Sequence, residues 1–224
     1  MERVRNIVNA IDVPLVADMD TGYGNPLNVT RTVRDCVGAG AAGIILEDQE
    51  WPKKCGHFEG KRVIPAEDQV QKLRAAVEAR CDDDLVIIGR TDAREPLGLD
   101  EAIRRGRLYR GAGADVVFVE APRSVDELKA IAAAIPDAPL FANMIEGGRT
   151  PLLSFSELQA LGFKMVVYPL SALFTAARAI FETYRALFET KTTASHQGAL
   201  MGFHEFEEVV GAAGWREMEA RFKV

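Results

Sequence analysis

The sequence predicts an α/β protein on a parallel sheet whose strand ends share one face, as in a parallel barrel. Two observations carry this. Six short apolar, β-branched runs punctuate the chain, with helical patterns between most of them. Strands alternating with helices make a parallel sheet. Each run is also followed at once, or within a few residues, by polar residues. In a parallel barrel the strand C-termini meet at one face, where such side chains converge.

In order, the run at 13–17 is followed by Asp18 and Asp20, and the run at 42–46 by Glu47 and Asp48. The run at 85–88 is followed by Arg90 and Asp92, 116–119 by Glu120, 140–142 by Asn143, and 165–167 by Tyr168 and Ser171. Asp18 and Asp20, two apart on an extended segment, are expected to point the same way. Between the strands, Pro65 with Glu67 and Asp68 opens a helix, proline and acids suiting the first turn. Ser124 with Glu127, and Ser154 with Glu157, have capping-box spacing. Gly38, Gly40, Gly111 and Gly113 close helices where a left-handed residue is cheap.

The bulk numbers bound the class. The 224 residues are 48% hydrophobic and 27% charged, enough for one sizeable core. A net charge of −6 argues against a nucleic-acid surface, and no apolar run is long enough to span a bilayer. The N-terminus has no signal-peptide core. Cys36, Cys55 and Cys81 are odd in number and unpatterned, so a reducing, cytoplasmic setting without disulfides is expected. The reading is a barrel domain over 1–170 and C-terminal helices over 171–224.

The most informative segment is Lys53, Lys54, Cys55, Gly56 and His57. Cations beside a thiol favour its thiolate and poise it for proton transfer. The surrounding loop, 49–64, exceeds the ~12–15 residues usual for a structureless loop, which marks a lid or binding loop. Asp18, Asp20 and Glu47 make an oxygen-only anionic set suited to a hard divalent cation such as Mg2+. Pairing of these acids with Arg90 is the alternative. His196 and His204 lack partners at ligand spacing and are read as surface or packing residues.

The segments at 16–24, 46–49, 53–57, 89–93, 119–121 and 142–144 resemble the isocitrate lyase and phosphoenolpyruvate mutase superfamily, in order along the chain. Within it the cysteine loop resembles the carbon–carbon lyases. The stretches at 24–29, 51–57 and 145–152 look most like the 2-alkylmalate branch.

This resemblance implies a (β/α)8 TIM-type barrel. A full barrel has eight strands and ~250 residues, so the first two βα units are expected to be missing here. It implies Mg2+, or Mn2+ in its place, held by Asp18 directly and by Asp20 and Glu47 through waters. It implies Cys55 as general acid, tuned by Lys53 and His57. Arg90, Glu120 and Asn143 would hold substrate oxygens, with Gly56 offering an N–H and Thr150 a further contact.

The implied activity is metal-dependent cleavage of a 2-hydroxy dicarboxylate to a 2-keto acid and a carboxylate. Methylisocitrate lyase and oxaloacetate hydrolase are the alternatives within enzymes, and a non-catalytic truncated barrel is the alternative outside them. Pro169 stands where oxaloacetate-cleaving members carry serine. Leu173, Phe174 and Thr175 stand where methylisocitrate lyases tend to carry an arginine for a third carboxylate. The family also implies a homotetramer with the tail helix exchanged between subunits, and Trp215 and Phe222 suit such an interface.

Overall fold

A computed structural model describes residues 1–81 and 84–222. The chain forms two compact units, Met1–Pro169 and Leu170–Val224. In the first, six strands lie side by side in sequence order, every neighbouring pair parallel. They are β1 (Val16–Asp18), β2 (Gly43–Glu47), β3 (Val86–Thr91), β4 (Val116–Val119), β5 (Leu140–Asn143) and β6 (Phe163–Val167). The connections carry α2 (Pro26–Gly38), α3 (Ala66–Arg80), α4 (Arg94–Leu97) with α5 (Leu99–Gly111), α6 (Val125–Ala134) and α7 (Phe155–Ala160), after an N-terminal α1 (Glu2–Val8). This is the path of a (β/α) barrel wall.

Period-two alternation sorts the strands into two faces. Ile44 and Leu46 pack with Val29, Val33 and Cys36 of α2 and with Leu73 and Ala76 of α3. Ile45, Ile88, Val116, Phe118 and Phe141 pack with one another and with Val16, Met165 and Val167 on the inner face. Two residues further along each strand, the same parity puts Asp18, Glu47, Arg90, Glu120 and Asn143 on that inner side at the strand ends. Each buried Leu, Ile or Phe adds roughly 1.5–3 kcal/mol, so a slip by one residue would move both the core and the site.

The structure adjusts several sequence-based expectations. β1 starts at Val16 rather than at 13, because Pro14 has no N–H for the ladder. Asp18, Glu47, Arg90 and Asn143 lie within strands rather than after them. Asp20 does not continue an extended segment. Its φ is +50°, and its N–H donates to Asp18 Oδ1 at 2.9 Å, so the chain turns sharply after β1. Ser154 and Glu157 form a full capping box on α7. At α6 Ser124 accepts from the Glu127 N–H, but the Glu127 carboxylate is taken by Arg94 and by the Arg123 N–H. An unforeseen box caps α2, where Asn25 and Asn28 bond reciprocally. Of the four glycines, Gly40 and Gly113 have positive φ, while Gly38 and Gly111 are the last residues of α2 and α5.

The second unit holds α8 (Ser171–Thr190), α9 (Phe203–Val209) and α10 (Ala212–Arg221), with no buried residue in any of them. Along α8, Leu173, Phe174, Ile180, Phe181, Tyr184, Leu187 and Phe188 are exposed at helical spacing. Among the described residues no helix is long and apolar enough to cross a membrane.

All three cysteines are free, with Cys36 buried and Cys55 and Cys81 exposed. Burial pushes the Cys36 thiol up to about 11. A thiol reagent at pH 8 is therefore expected to modify two sulfurs in the native protein and the third only after unfolding. Rapid titration of all three in the native state would contradict this packing.

Candidate active site

The inner-face residues converge on Arg90. Its side chain reaches Asp92 through two bonds, Nε to Oδ2 at 2.8 Å and Nη2 to Oδ1 at 3.1 Å. Nη2 also lies 3.2 Å from Glu120 Oε2, and Nε 3.5 Å from Glu47 Oε2. The guanidinium sits over the Phe118 ring, 5.1 Å from its centroid. Asn143 Nδ2 donates to both Glu120 oxygens, at 3.4 and 3.3 Å. Glu47, Asp92 and Glu120 have no exposed side-chain surface. For Asp92 burial alone would raise the carboxyl, but Arg90 and Lys61 outweigh it and hold it below its usual range. For Glu120, burial is likewise outweighed by Arg90 and His57.

The loop at 49–64 is closed rather than structureless. Gln49 bridges Val63 in antiparallel fashion, Glu50 N donates to Arg62 O, and Ile64 N donates to Asp48 O. The Gln49 side chain holds both the N–H and the carbonyl of Lys54 at 2.9 Å. The loop crosses the strand ends closely. A Cβ on Gly56 would fall 2.5 Å from Arg90 Nη2 and 2.6 Å from Glu120 Cγ, so only glycine fits there. Cys55, next to it, is exposed, and its carbonyl accepts from Phe58 N.

Lys53 and His57 have partners other than the thiol. Lys53 Nζ pairs with Asp20 Oδ1 at 2.6 Å and stands 3.8 Å from Glu47 Oε1. His57 Nδ1 accepts from the Arg149 N–H at 2.9 Å. In the neutral ring the proton is then on Nε2, which lies 3.0 Å from Glu120 Oε1, a close contact short of hydrogen-bond alignment. The geometry makes Lys53 a partner of the acidic corner and His57 a partner of Glu120.

Several buried acceptors lack a hydrogen-bond partner. Both oxygens of Glu47, Asn143 Oδ1 and Thr150 Oγ1 are among them. Burial pushes the Glu47 carboxyl up to about 7 in spite of Arg90 beside it. Among the described residues no group of three or more His, Cys, Asp or Glu side chains is drawn together tightly enough to hold a metal. The donor chemistry still fits a hard cation that keeps several waters. The Glu47 oxygens have only the longer contacts to Arg90 and Lys53 and no hydrogen bond, which leaves them as free donors of electron pairs to a cation in a corner that already holds positive charge. Below Arg90 a cavity of about 480 Å³ is walled by Val16, Ile45, Phe118, Phe141, Met165 and Val167, with Asp18 and Asn143 at its polar side.

Asp48, with Arg105 and Tyr109 that carry no signal in the strand pattern, supports this floor. Asp48, of opposite parity to Glu47, faces the helices. It accepts from Thr91 Oγ1 (2.7 Å), Asp92 N (2.8 Å), Arg105 Nη1 (2.9 Å) and Tyr109 OH (2.6 Å). Arg105 and Tyr109 are four apart on one face of α5, the spacing that could have revealed them.

A parallel α/β sheet with a charged cluster under a loop at the strand ends is the architecture of an enzyme. The family model described as phosphoenolpyruvate phosphomutase matches residues 1–188. The 2,3-dimethylmalate lyase of Eubacterium barkeri is 46% identical over 220 residues, covering 98% of this chain and 76% of that protein. The petal death protein of Dianthus caryophyllus is 47% identical over 224 residues, covering 100% of this chain and 70% of that protein.

A crystal structure of 2,3-dimethylmalate lyase superposes with a TM-score of 0.90 at 33% identity, covering 99% of this chain and 74% of that one. One of oxaloacetate acetylhydrolase, in complex with 3,3-difluorooxalacetate, superposes with 0.89 at 37% identity, covering 98% and 74%. The chain belongs to the phosphoenolpyruvate mutase/isocitrate lyase superfamily, and its six strands are wall strands of that TIM-type barrel.

Proposed function

We propose that this lyase-family enzyme cleaves the C2–C3 bond of a 2-hydroxy dicarboxylate of the 2-alkylmalate type. It would use a divalent cation, Mg2+ or Mn2+, at the corner of Asp18, Asp20 and Glu47. The observation that carries the reading is the convergence of Arg90, Glu120, Asn143 and Glu47 at the strand ends, beneath Cys55 and Gly56, with acceptor atoms left unpaired.

The chemistry asks for what these residues supply. The C2 hydroxyl gives up its proton, the C2–C3 electron pair leaves with C3, and C2 becomes the ketone of a 2-keto acid. The C3 fragment is enolate-like, takes a proton and departs as a carboxylate. The bound cation would neutralise charge on the oxygens of the 2-keto fragment. Arg90 and the Asn143 amide offer donors to negative oxygens. Cys55 delivers the proton to C3 as general acid. Thr150, whose hydroxyl oxygen has no hydrogen-bond partner, would be a further substrate contact, and the Gly56 N–H another. The apolar cavity below Arg90 suits alkyl substituents. Pro169 weighs against oxaloacetate, and the sequence at 173–175 lacks the arginine that methylisocitrate lyases tend to carry there for a third carboxylate, whose desolvation without a cation would be costly.

The test is 2-keto acid release from 2,3-dimethylmalate, methylisocitrate and oxaloacetate, with Mg2+ and with EDTA. The highest kcat/KM is expected with the alkylmalate, lost in EDTA and restored by Mg2+ or Mn2+. Preference for methylisocitrate would overturn the dicarboxylate assignment, and turnover in EDTA would overturn the metal site. Folded protein inert to all three would favour a non-catalytic barrel.

We also infer that the exposed apolar stripe of α8 is covered by another copy of the chain in a homotetramer. Sedimentation of the wild type against Phe181→Glu is expected to show a smaller species for the variant.

A further inference from the structure

We propose that Lys61 is a positioning residue that holds the cysteine loop down on the site. Its side chain has no exposed surface, although it belongs to a loop. Its ammonium donates to the Gly56 carbonyl and, at 2.9 Å, to Asp92 Oδ1. Asp92 in turn takes two bonds from Arg90. A single buried cation thus joins the peptide next to Cys55 to the carboxylate that orients Arg90.

The rest of the loop's fastening lies elsewhere. Its ends are tied by the Gln49–Val63 bridge and by the Gln49 side chain on Lys54. His57 reaches Glu120, but not in hydrogen-bond alignment. Lys54 Nζ bonds the Gly60 carbonyl within the loop itself. Lys53 pairs with Asp20, and Arg149 binds the His57 carbonyl and Glu59, but both cations are partly exposed. Lys61 supplies the fully buried charge-assisted bond from the middle of the loop to the strand ends, the strong kind of hydrogen bond. A lysine is buried this way only when paired. Moving the loop off the strand ends must break the bond to Gly56 or drag Asp92, and with it Arg90. Loop position and Arg90 orientation are coupled through one side chain.

The catalytic half of this inference rests on the lyase reading, whereas the loop-holding half does not. Two readouts separate them. The first is hydrogen exchange over 55–60 in Lys61→Met, with 114–119 on β4 as reference. Exchange in the loop is expected to rise at least about tenfold, with the reference unchanged, since local opening is set by the bonds that hold a segment. The second is steady-state kinetics on whichever diacid the wild type cleaves. A fall in kcat of about 10²-fold, as for a small misplacement of catalytic groups, is expected with a smaller rise in KM, because the Gly56 N–H moves with the loop while Arg90 and Asn143 remain.

Should Lys61→Met fail to fold, Lys61→Gln keeps a polar tip against Asp92 and is expected to move both readouts in the same direction. Unchanged loop exchange in a folded variant overturns the proposal whatever the activity. Faster exchange in the variant of a protein whose wild type cleaves no diacid leaves the loop-holding role standing and removes the lyase reading instead, and faster exchange with kcat unchanged overturns the catalytic half.

Discussion

Replacing Arg90 by methionine is expected to lower stability by about 3–5 kcal/mol at pH 7, the cost of leaving buried charges without their partner. Three carboxylates with no exposed side-chain surface depend on this guanidinium: Asp92, Glu120 and Glu47. Asp92 would keep Lys61, and Glu120 would keep Asn143 and the nearby His57 ring, so collapse is not complete. The loss is read from the urea midpoint at constant m.

The pH dependence gives a second check. In the wild type Asp92 and Glu120 are held below their usual range, so the stability they contribute is present above about pH 4 and fades as pH falls through their folded values. In the variant, burial without Arg90 favours the protonated carboxyls. The difference between the two proteins is therefore expected to be largest near neutrality and to shrink towards pH 3. A difference that stays constant from pH 7 to pH 3 would show that lost packing over Phe118, rather than charge, is the cause. Arg90→Lys should fall between the two, since an ammonium keeps the charge but cannot make the two-point contact with Asp92.

Much of this arrangement was legible in the sequence because strand parity is a strong constraint. Once the apolar runs are read as strands of one parallel sheet, Glu47, Arg90 and Asn143 fall two residues beyond Ile45, Ile88 and Phe141, and must share their face. The polar strand ends thus announced a common site before any contact was known. Strand ends were less legible. Gly89 interrupts the apolar run before Arg90, yet β3 continues to Thr91, because pairing with β4 is set by the backbone and not by side-chain character.

What the sequence hides is equally local. The spacing of Asp18 and Asp20 predicts one extended segment, but Asp20 takes a left-handed turn that short polar side chains tolerate. Lys53 and His57 neighbour Cys55 in sequence, which suggested that they serve the thiol. In three dimensions Lys53 also pairs with Asp20 and His57 also approaches Glu120, contacts that adjacency in sequence does not reveal. Lys61 left no signal at all: a lysine after a glycine in a polar loop reads as solvated. Its burial follows from the loop folding back on Asp92, a contact 31 residues away in sequence.

Cys55→Ser is expected to reduce turnover by about 10²–10⁴-fold, the usual contribution of a positioned general acid, while leaving the fold intact. The two halves of this prediction have different grounds. Cys55 is exposed, so its sulfur has no core to support, and the substitution should shift stability by no more than ~0.5 kcal/mol. The neighbouring Gly56, pressed against Arg90 and Glu120, keeps the loop where it is. A serine hydroxyl then occupies nearly the same place but holds its proton far more tightly than a thiol. Proton delivery to C3 is slowed without altering how the diacid binds.

KM should accordingly stay within about threefold, because an interaction made only in the transition state lowers kcat and kcat/KM together. Gly56→Ala is the counterpart. Its Cβ has no room beside Arg90 and Glu120, so it must lift the loop, and both kcat and KM are expected to suffer. If Cys55→Ser kept more than a tenth of wild-type turnover, the proton would have to come from elsewhere in the site. His57, the group nearest Glu120, would then be the next residue to replace.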